Sequence, residues 1–229
     1  MLQPKKKISK KELKEDALVT KYAQATAFYE KHKKNISIGI TALVVIIIAS
    51  MVYINNRNAN NERALVDLGK VHSYYDNAQY QVAVDGIPAQ NIPGLKSIVE
   101  NYGGTTSGNL AKFYLGDAYF NLGKYDEALQ QFKSFSAPDQ LLSVSRLSGI
   151  AACYEAKGVH DEAADYYEEA ATKYNQDVNA AENLNDAARN YALAGKKEKA
   201  IELYKRLKAQ FPTSSYAREV DRYIAQLSV

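Results

Sequence analysis

The stretch Leu115-Gly116-Asp117-Ala118-Tyr119-Phe120-Asn121-Leu122-Gly123-Lys124-Tyr125-Asp126-Glu127-Ala128-Leu129-Gln130-Gln131-Phe132 describes two helices around a tight turn at Gly123-Lys124. Glycine at that place accepts the positive φ that ends a helix. The small Ala128 lets the second helix approach the first, and Tyr119 and Phe132 fill the space between them. The segment is a helical hairpin whose turn, close contact and filler are all written locally.

The pattern recurs. Tyr154, Gly158, Ala163 and Tyr167 repeat Tyr119, Gly123, Ala128 and Phe132 with the same internal spacing, and Tyr191, Gly195, Ala200 and Tyr204 repeat it again. Three copies at periods of 35 and 37 residues make a repeat array. These residues resemble the tetratricopeptide repeat (TPR), whose pattern carries L-G-x-x-Y, then glycine, alanine and an aromatic, with proline near the end. Leu115, Gly116 and Tyr119 match fully, and Pro212 stands at the end of the third copy. The later copies depart at the L-G pair, with Ile150-Ala151 and Ala187-Ala188, still small enough for close packing.

Both ends of the array are distinct. Upstream, Tyr74, Ala78, Tyr80 and Ala83 echo the motif before Gly86 to Gly94 interrupts it, and Leu95, Ile98, Val99 and Tyr102 then resume a helical face. Tyr74 to Tyr119 is 45 residues, so this copy is divergent and about ten residues too long. At the other end Tyr216, Val220, Tyr223 and Leu227 form one stripe, with Arg218, Glu219, Asp221 and Arg222 opposite. That is a capping helix with a solvated outer face.

A different logic governs Ile36 to Ile54, ISIGITALVVIIIASMVYI, nineteen residues without a charged side chain. As a helix it reaches about 28 Å, close to the hydrocarbon thickness of a bilayer. It reads as a retained membrane span, because a cleaved signal has a shorter apolar region and a shorter charged lead. Before it lie ten lysines and four acids, a net +6; after it the only bases before Lys70 are Arg57 and Arg63. Positive charge marks the side that is not translocated, which places the N-terminus in the cytoplasm and residues 55–229 outside it.

The tail itself begins with a lysine-rich, disordered stretch at 1–8. Ser9-Lys10-Lys11-Glu12 then has the form of a capping box opening a helix from about Lys10 to Lys33. Leu18, Tyr22, Ala25 and Tyr29 share a face bordered by Phe28, suited to the inner leaflet or to a membrane partner. After the span, Asn55 to Asn61 contains neither glycine nor proline, so one helix is expected to run out of the membrane into Leu65-Val66-Asp67-Leu68. The expected fold is therefore all-α: one transmembrane helix followed by a TPR superhelix of helical hairpins and a C-terminal capping helix. Its divisions are 1–35 cytoplasmic tail, 36–54 anchor, 55–108 juxtamembrane helix and divergent repeat, 109–212 three repeats, and 213–229 cap.

Composition narrows the function. The whole chain carries +3, but with the tail's charges removed the 175 residues beyond the span carry −3. The basic character belongs to the tail alone, and no nucleic-acid partner is expected. The single cysteine, Cys153, cannot form an intramolecular disulfide, so the body must hold together by packing. His32, His72 and His160 lie in separate segments without partners at metal-ligand spacing, and no nucleophile or phosphate-binding motif is present. Cys153 reads as a small packing residue; Asp161-Glu162 and Glu168-Glu169 read as helix-start and surface charges. The chain is expected to be no enzyme, to need no cofactor or metal and to have no small-molecule substrate.

The TPR resemblance implies a concave surface lined by the first helix of each hairpin, fitted to protein partners. It places Phe113, Asp117, Phe120, Asn121, Ala152, Glu155, Asn185 and Arg189 there. In TPR domains that clamp a C-terminal carboxylate, lysine and asparagine occupy the places of Phe113 and Asp117, which argues against that ligand here. The architecture is similar to the bacterial single-pass inner-membrane proteins that serve as ancillary subunits of the Sec translocon. That resemblance implies translocon subunits or a periplasmic chaperone as partners, with the bilayer holding the anchor. A scaffold for envelope assembly or cell-wall coordination is the alternative, and an organelle import receptor, with its repeats in the cytosol, is disfavoured by the lysine distribution.

Overall fold

The computed structural model describes residues 10–173 and 178–228, with side chains from 19 onward. Expectations for residues 1–8, the Ser9 capping box and the Leu18 side chain lie outside the described residues. Ten α-helices and one two-stranded β-hairpin are present among the described residues. The chain forms two compact units, Met1–Asn56 and Arg57–Val229.

The first unit is helical throughout its described part. Helix α1 runs Lys10–Asp76 without a break, so the tail helix, the apolar run and the helix after it are one element by backbone hydrogen bonding. No proline or interior helix-breaking pair interrupts it. Its apolar stretch has a mean hydropathy of 2.5 over an 18-residue window, long and apolar enough to cross a membrane. The side chains there are exposed rather than packed, Ile38 at 59%, Ile46 at 61% and Val52 at 65%. Tyr22, Phe28 and Tyr29 of the preceding face are likewise uncovered.

The second unit is a succession of hairpins in which each helix packs on the next. After α1 come α2 (Tyr80–Asp85), α3 (Leu95–Tyr102), α4 (Thr106–Asn121), α5 (Tyr125–Ser134), α6 (Gln140–Ala156), α7 (His160–Lys173), α8 (Ala180–Leu193), α9 (Lys197–Gln210) and α10 (Val220–Leu227). The hairpins α4–α5, α6–α7 and α8–α9 turn in the same way. Gly123, Gly158 and Gly195 take φ of +74°, +73° and +80°. In each, the following amide reaches back to the carbonyl of the motif tyrosine: Lys124 to Tyr119 at 2.9 Å, Val159 to Tyr154 at 2.9 Å, Lys196 to Tyr191 at 2.8 Å. Carbonyls left over at the helix end are thereby satisfied. Ala128, Ala163 and Ala200 are fully buried at the contact between paired helices, as their size requires.

The divergent copy uses the same turn. Gln79 donates to the Tyr74 carbonyl at 2.9 Å, and Ala78, standing where the others have glycine, takes φ +55°. Ala83 is fully buried, in register with Ala128. The copy then departs: α2 stops at Asp85, and strands β1 (Gly86–Ile87) and β2 (Ile92–Pro93) make a small antiparallel hairpin before α3 resumes. The ten-residue excess is that hairpin and its flanks.

Apolar clusters follow the hairpin order. Leu68, Val71, Val84, Leu95, Ile98 and Leu115 pack together at one end, and Leu184, Tyr191, Leu203, Tyr204 and Leu207 at the other. Val220 is fully buried in the latter, with Tyr216, Tyr223 and Leu227 against it, while Arg218, Glu219, Asp221 and Arg222 are exposed. Helix α10 closes the last hairpin's apolar side. Side-chain caps fix two helix starts: Thr105 Oγ1 accepts from the Gly108 amide at 3.0 Å, and Asp139 Oδ1 from the Leu142 amide at 2.8 Å.

Candidate protein-binding groove

A groove of about 390 Å³ opens along the first helices of the three hairpins, α4, α6 and α8. One wall is aromatic. Phe113 stands edge-on to Phe132, centroids 5.8 Å apart, and Phe120 continues the wall along α4. Phe132 is 2% exposed because it is wedged between two glycines. A methyl at Gly116 would meet its ring at 3.1 Å, and one at Gly149 at 2.8 Å. The glycines thus let α4, α5 and α6 close around one phenyl ring, with Gly149 itself in the groove lining.

Acids line the groove. Asp117 Oδ2 accepts from the Tyr75 hydroxyl at 2.6 Å and from Asn121 Nδ2 at 3.1 Å, which ties α1 to α4 and positions the carboxylate. Burial, then the bond to Asp117, pushes the Tyr75 hydroxyl well above the ordinary tyrosine range. Asp186 accepts from Arg189 Nη2 at 3.0 Å; burial raises its carboxyl, and the arginine pulls it back only in part. Arg189 also forks onto Glu155, whose Oε2 accepts from the Tyr167 hydroxyl at 3.3 Å. Burial works against the arginine's charge, but its bonds to Glu155 and Asp186 outweigh it and the guanidinium holds its proton more tightly. Tyr167 is raised chiefly by its own burial.

The groove floor holds a polar pair with one loose end. Ser148 Oγ donates to Asn183 Oδ1 at 2.8 Å, and Asn183 is 3% exposed. Its Nδ2 finds no acceptor among the described residues. A buried amide N–H without an acceptor costs about 1–3 kcal/mol.

Of the residues expected on the binding face, Phe113, Asp117, Phe120 and Ala152 line this groove. Asn121 supports Asp117; Glu155 and Arg189 pair with each other beside the lining; Asn185 donates to Asp186 Oδ1 at 3.3 Å. Sequence reasoning missed Ser145, Ser148, Gly149, Glu182 and Asp186. Carrying the repeat register evenly through every copy finds Ser148, which lies between Phe113 and Asn185 at the same repeat position. Ser145 and Glu182 share the register of Leu110, and Gly149 and Asp186 that of Tyr114, two positions the expectation left out. Asn183 and Tyr167 had no such signal, because their register positions face neighbouring helices.

The groups that could carry chemistry are otherwise engaged. Cys153 is fully buried, and that burial pushes its thiol up to about 12. His160 Nδ1 lies 2.9 Å from Asn190 Oδ1, and His72 Nδ1 3.1 Å from Asp76. No group of three or more His, Cys, Asp or Glu able to hold a metal occurs among the described residues.

Models of the tetratricopeptide repeat match residues 110–137, 147–178 and 186–214, the three hairpins described above. No curated protein gives a significant match to the chain. Among solved structures, the crystal structure of the Podosopora anserina putative kinesin light chain nearly identical TPR-like repeats is similar to this chain, with a TM-score of 0.55 at 18% identity. That match covers 73% of this chain and 86% of the other. A point-substituted form of the same repeats matches with the same TM-score of 0.55, covering 85% of its length. The fold is therefore a TPR-like array of helical hairpins following a long apolar helix, and the repeats make it a protein–protein interaction module. No catalytic family is indicated.

Proposed function

We propose that the chain is a single-pass membrane protein whose TPR array binds protein partners on the exported side, as an accessory factor of protein translocation or of periplasmic chaperone networks. In this reading residues 36–54 anchor the chain, the lysine-rich 1–35 stay in the cytoplasm, and 109–212 form the binding array closed by 213–229. The binding face comprises Phe113, Asp117, Phe120, Asn121, Ala152, Glu155, Asn185 and Arg189 together with the groove floor. The observation that carries it is the groove along α4, α6 and α8, whose aromatic and acidic side chains are only partly used by the fold. Charge supports the sidedness, since ten lysines precede the apolar run and two arginines follow it before Lys70. The exposed Tyr22, Phe28 and Tyr29 give the tail helix a face for headgroups or a membrane partner.

The test is co-purification of the full chain in mild detergent, beside a form whose residues 36–54 are replaced by an unrelated span. Translocon subunits enriched with the native anchor and reduced with the foreign one are the expected result. Envelope-assembly or wall-synthesis proteins retained equally by both would replace the translocation role with scaffolding. A reporter enzyme fused after Val229 checks the sidedness, and cytosolic activity would reverse it.

A further inference from the structure

The groove's chemistry selects among protein partners, an inference that rests on the groove being the binding face. Every charged side chain in its lining is an acid: Asp117, Glu182 and Asp186. Arg189, bonded to the lining residue Asp186, is held between it and Glu155. Both bonds to Asp117 land on Oδ2, and no described residue donates to Oδ1. An incoming acid would face these carboxylates with no cation in the groove lining to receive it, whereas a lysine or arginine meets them directly. Beside them, Phe113 and Phe120 offer apolar and π surface to side chains next to such a cation.

Asn183 decides the backbone form of the ligand. Asn183 lines the groove, and its buried Nδ2 is a donor without an acceptor among the described residues. A helical ligand has already spent its interior carbonyls on its own amides, while an extended segment presents them outward. We propose that the groove takes an extended peptide segment carrying lysine or arginine among apolar residues, with its cations against Asp117 and Glu182 and a backbone carbonyl accepting from Asn183 Nδ2. The apolar side chains lie along Phe113 and Phe120.

The experiment uses the full chain in lipid nanodiscs and three fluorescein-labelled twelve-residue peptides on one leucine-phenylalanine frame, with lysine, glutamine or glutamate at the alternate places. Anisotropy titrations should rank them lysine, glutamine, glutamate, with about tenfold or more between the extremes at low salt. Asp117→Asn with Glu182→Gln should bring the lysine peptide to the level of the glutamine one. Glu127→Gln with Glu162→Gln, two exposed acids on second helices, should leave it unchanged. Asn183→Leu, checked for native helicity by circular dichroism, should weaken the lysine and glutamine peptides alike by about threefold to tenfold. Equal binding of the glutamate peptide, or equal losses from both acid pairs, would overturn the cationic preference. If Phe120→Ala still weakened such a charge-blind peptide, groove binding would stand without that preference. If no peptide bound and Phe120→Ala left the co-purified partners of the full chain unchanged, the binding-face reading would fall as well.

Discussion

The divergent hairpin made by the end of α1 and α2, first in the chain, and the α4–α5 hairpin, second in the chain, make the same turn and then part at one residue. In both, the amide five residues after the motif tyrosine returns to its carbonyl, at 2.9 Å in each, and an alanine five residues beyond the turn is fully buried. The second hairpin then continues to Phe132, held between Gly116 and Gly149. The first has Ile87 at that register, half-buried in strand β1 after α2 has ended. Turn geometry and helix continuity are thus separable. The turn is set by a few backbone bonds, and the second helix persists only where an aromatic side chain has a slot to fill.

The largest expected effect tests that separation. Phe132→Ala should lower stability by about 3–5 kcal/mol, because a nearly closed slot is left empty and its glycine walls cannot collapse into it. Ile87→Ala should cost no more than about 1–1.5 kcal/mol, since the side chain is half-exposed to begin with. Urea unfolding followed by circular dichroism compares them. Equal losses would mean that the β-hairpin packs as tightly as the wedged ring.

Next in size is the turn itself. A Cβ at Gly123 meets nothing within 4 Å, so Gly123→Ala costs the positive φ, about 1–2 kcal/mol, less the roughly 0.5–1 kcal/mol by which alanine restricts the unfolded chain, a net loss of about 1 kcal/mol. The same change at Gly158 and Gly195 should give matching losses, because their conformations and open surroundings match. A markedly larger loss at one of them would show that the three hairpins are not equivalent.

Gly149→Ala is no larger in net effect and more informative about the slot. The added methyl drives into the Phe132 ring at 2.8 Å, an overpacking cost of about 1–3 kcal/mol. Alanine in place of glycine inside α6 returns about 1 kcal/mol of helix propensity. The balance is a loss of about 1 kcal/mol. In a Phe132→Leu background the clash eases and the substitution should become favourable, so the double-mutant cycle has a definite sign. Additivity would mean that the two side chains do not share the slot.

The legible and illegible parts of the sequence divide along the same line. Gly123, Ala128 and Phe132 repeat because local geometry demands them in each hairpin, and that periodicity gave the array, its turns and its cap. The groove was legible only where its residues sit at repeated first-helix positions, as Phe113, Asp117, Phe120 and Ala152 do. Asn183 was not, because its place in the groove floor comes from Ser148, one hairpin earlier, and from an Nδ2 without a partner among the described residues. Nor could spacing show that Gly116 and Gly149 clasp one ring, since they belong to different copies and to different places in the motif. Interactions between hairpins leave no period.

The smallest predicted effect is the sharpest test of the shared turn. Ala78 is the one place where this turn is built without glycine, at φ +55° and with an exposed side chain. An alanine in the left-handed region is strained by about 1–2 kcal/mol, and glycine there removes the strain while adding about 0.5–1 kcal/mol of freedom to the unfolded chain. Ala78→Gly should therefore raise stability by about 0.5 kcal/mol, a change of opposite sign to Gly123→Ala at the equivalent place. Thermal unfolding of the two variants beside the parent reads both signs together. If Ala78→Gly instead destabilised, the turn at Tyr74 would owe its form to the packing of α2 and the inserted hairpin, and the first hairpin would be a copy in outline only.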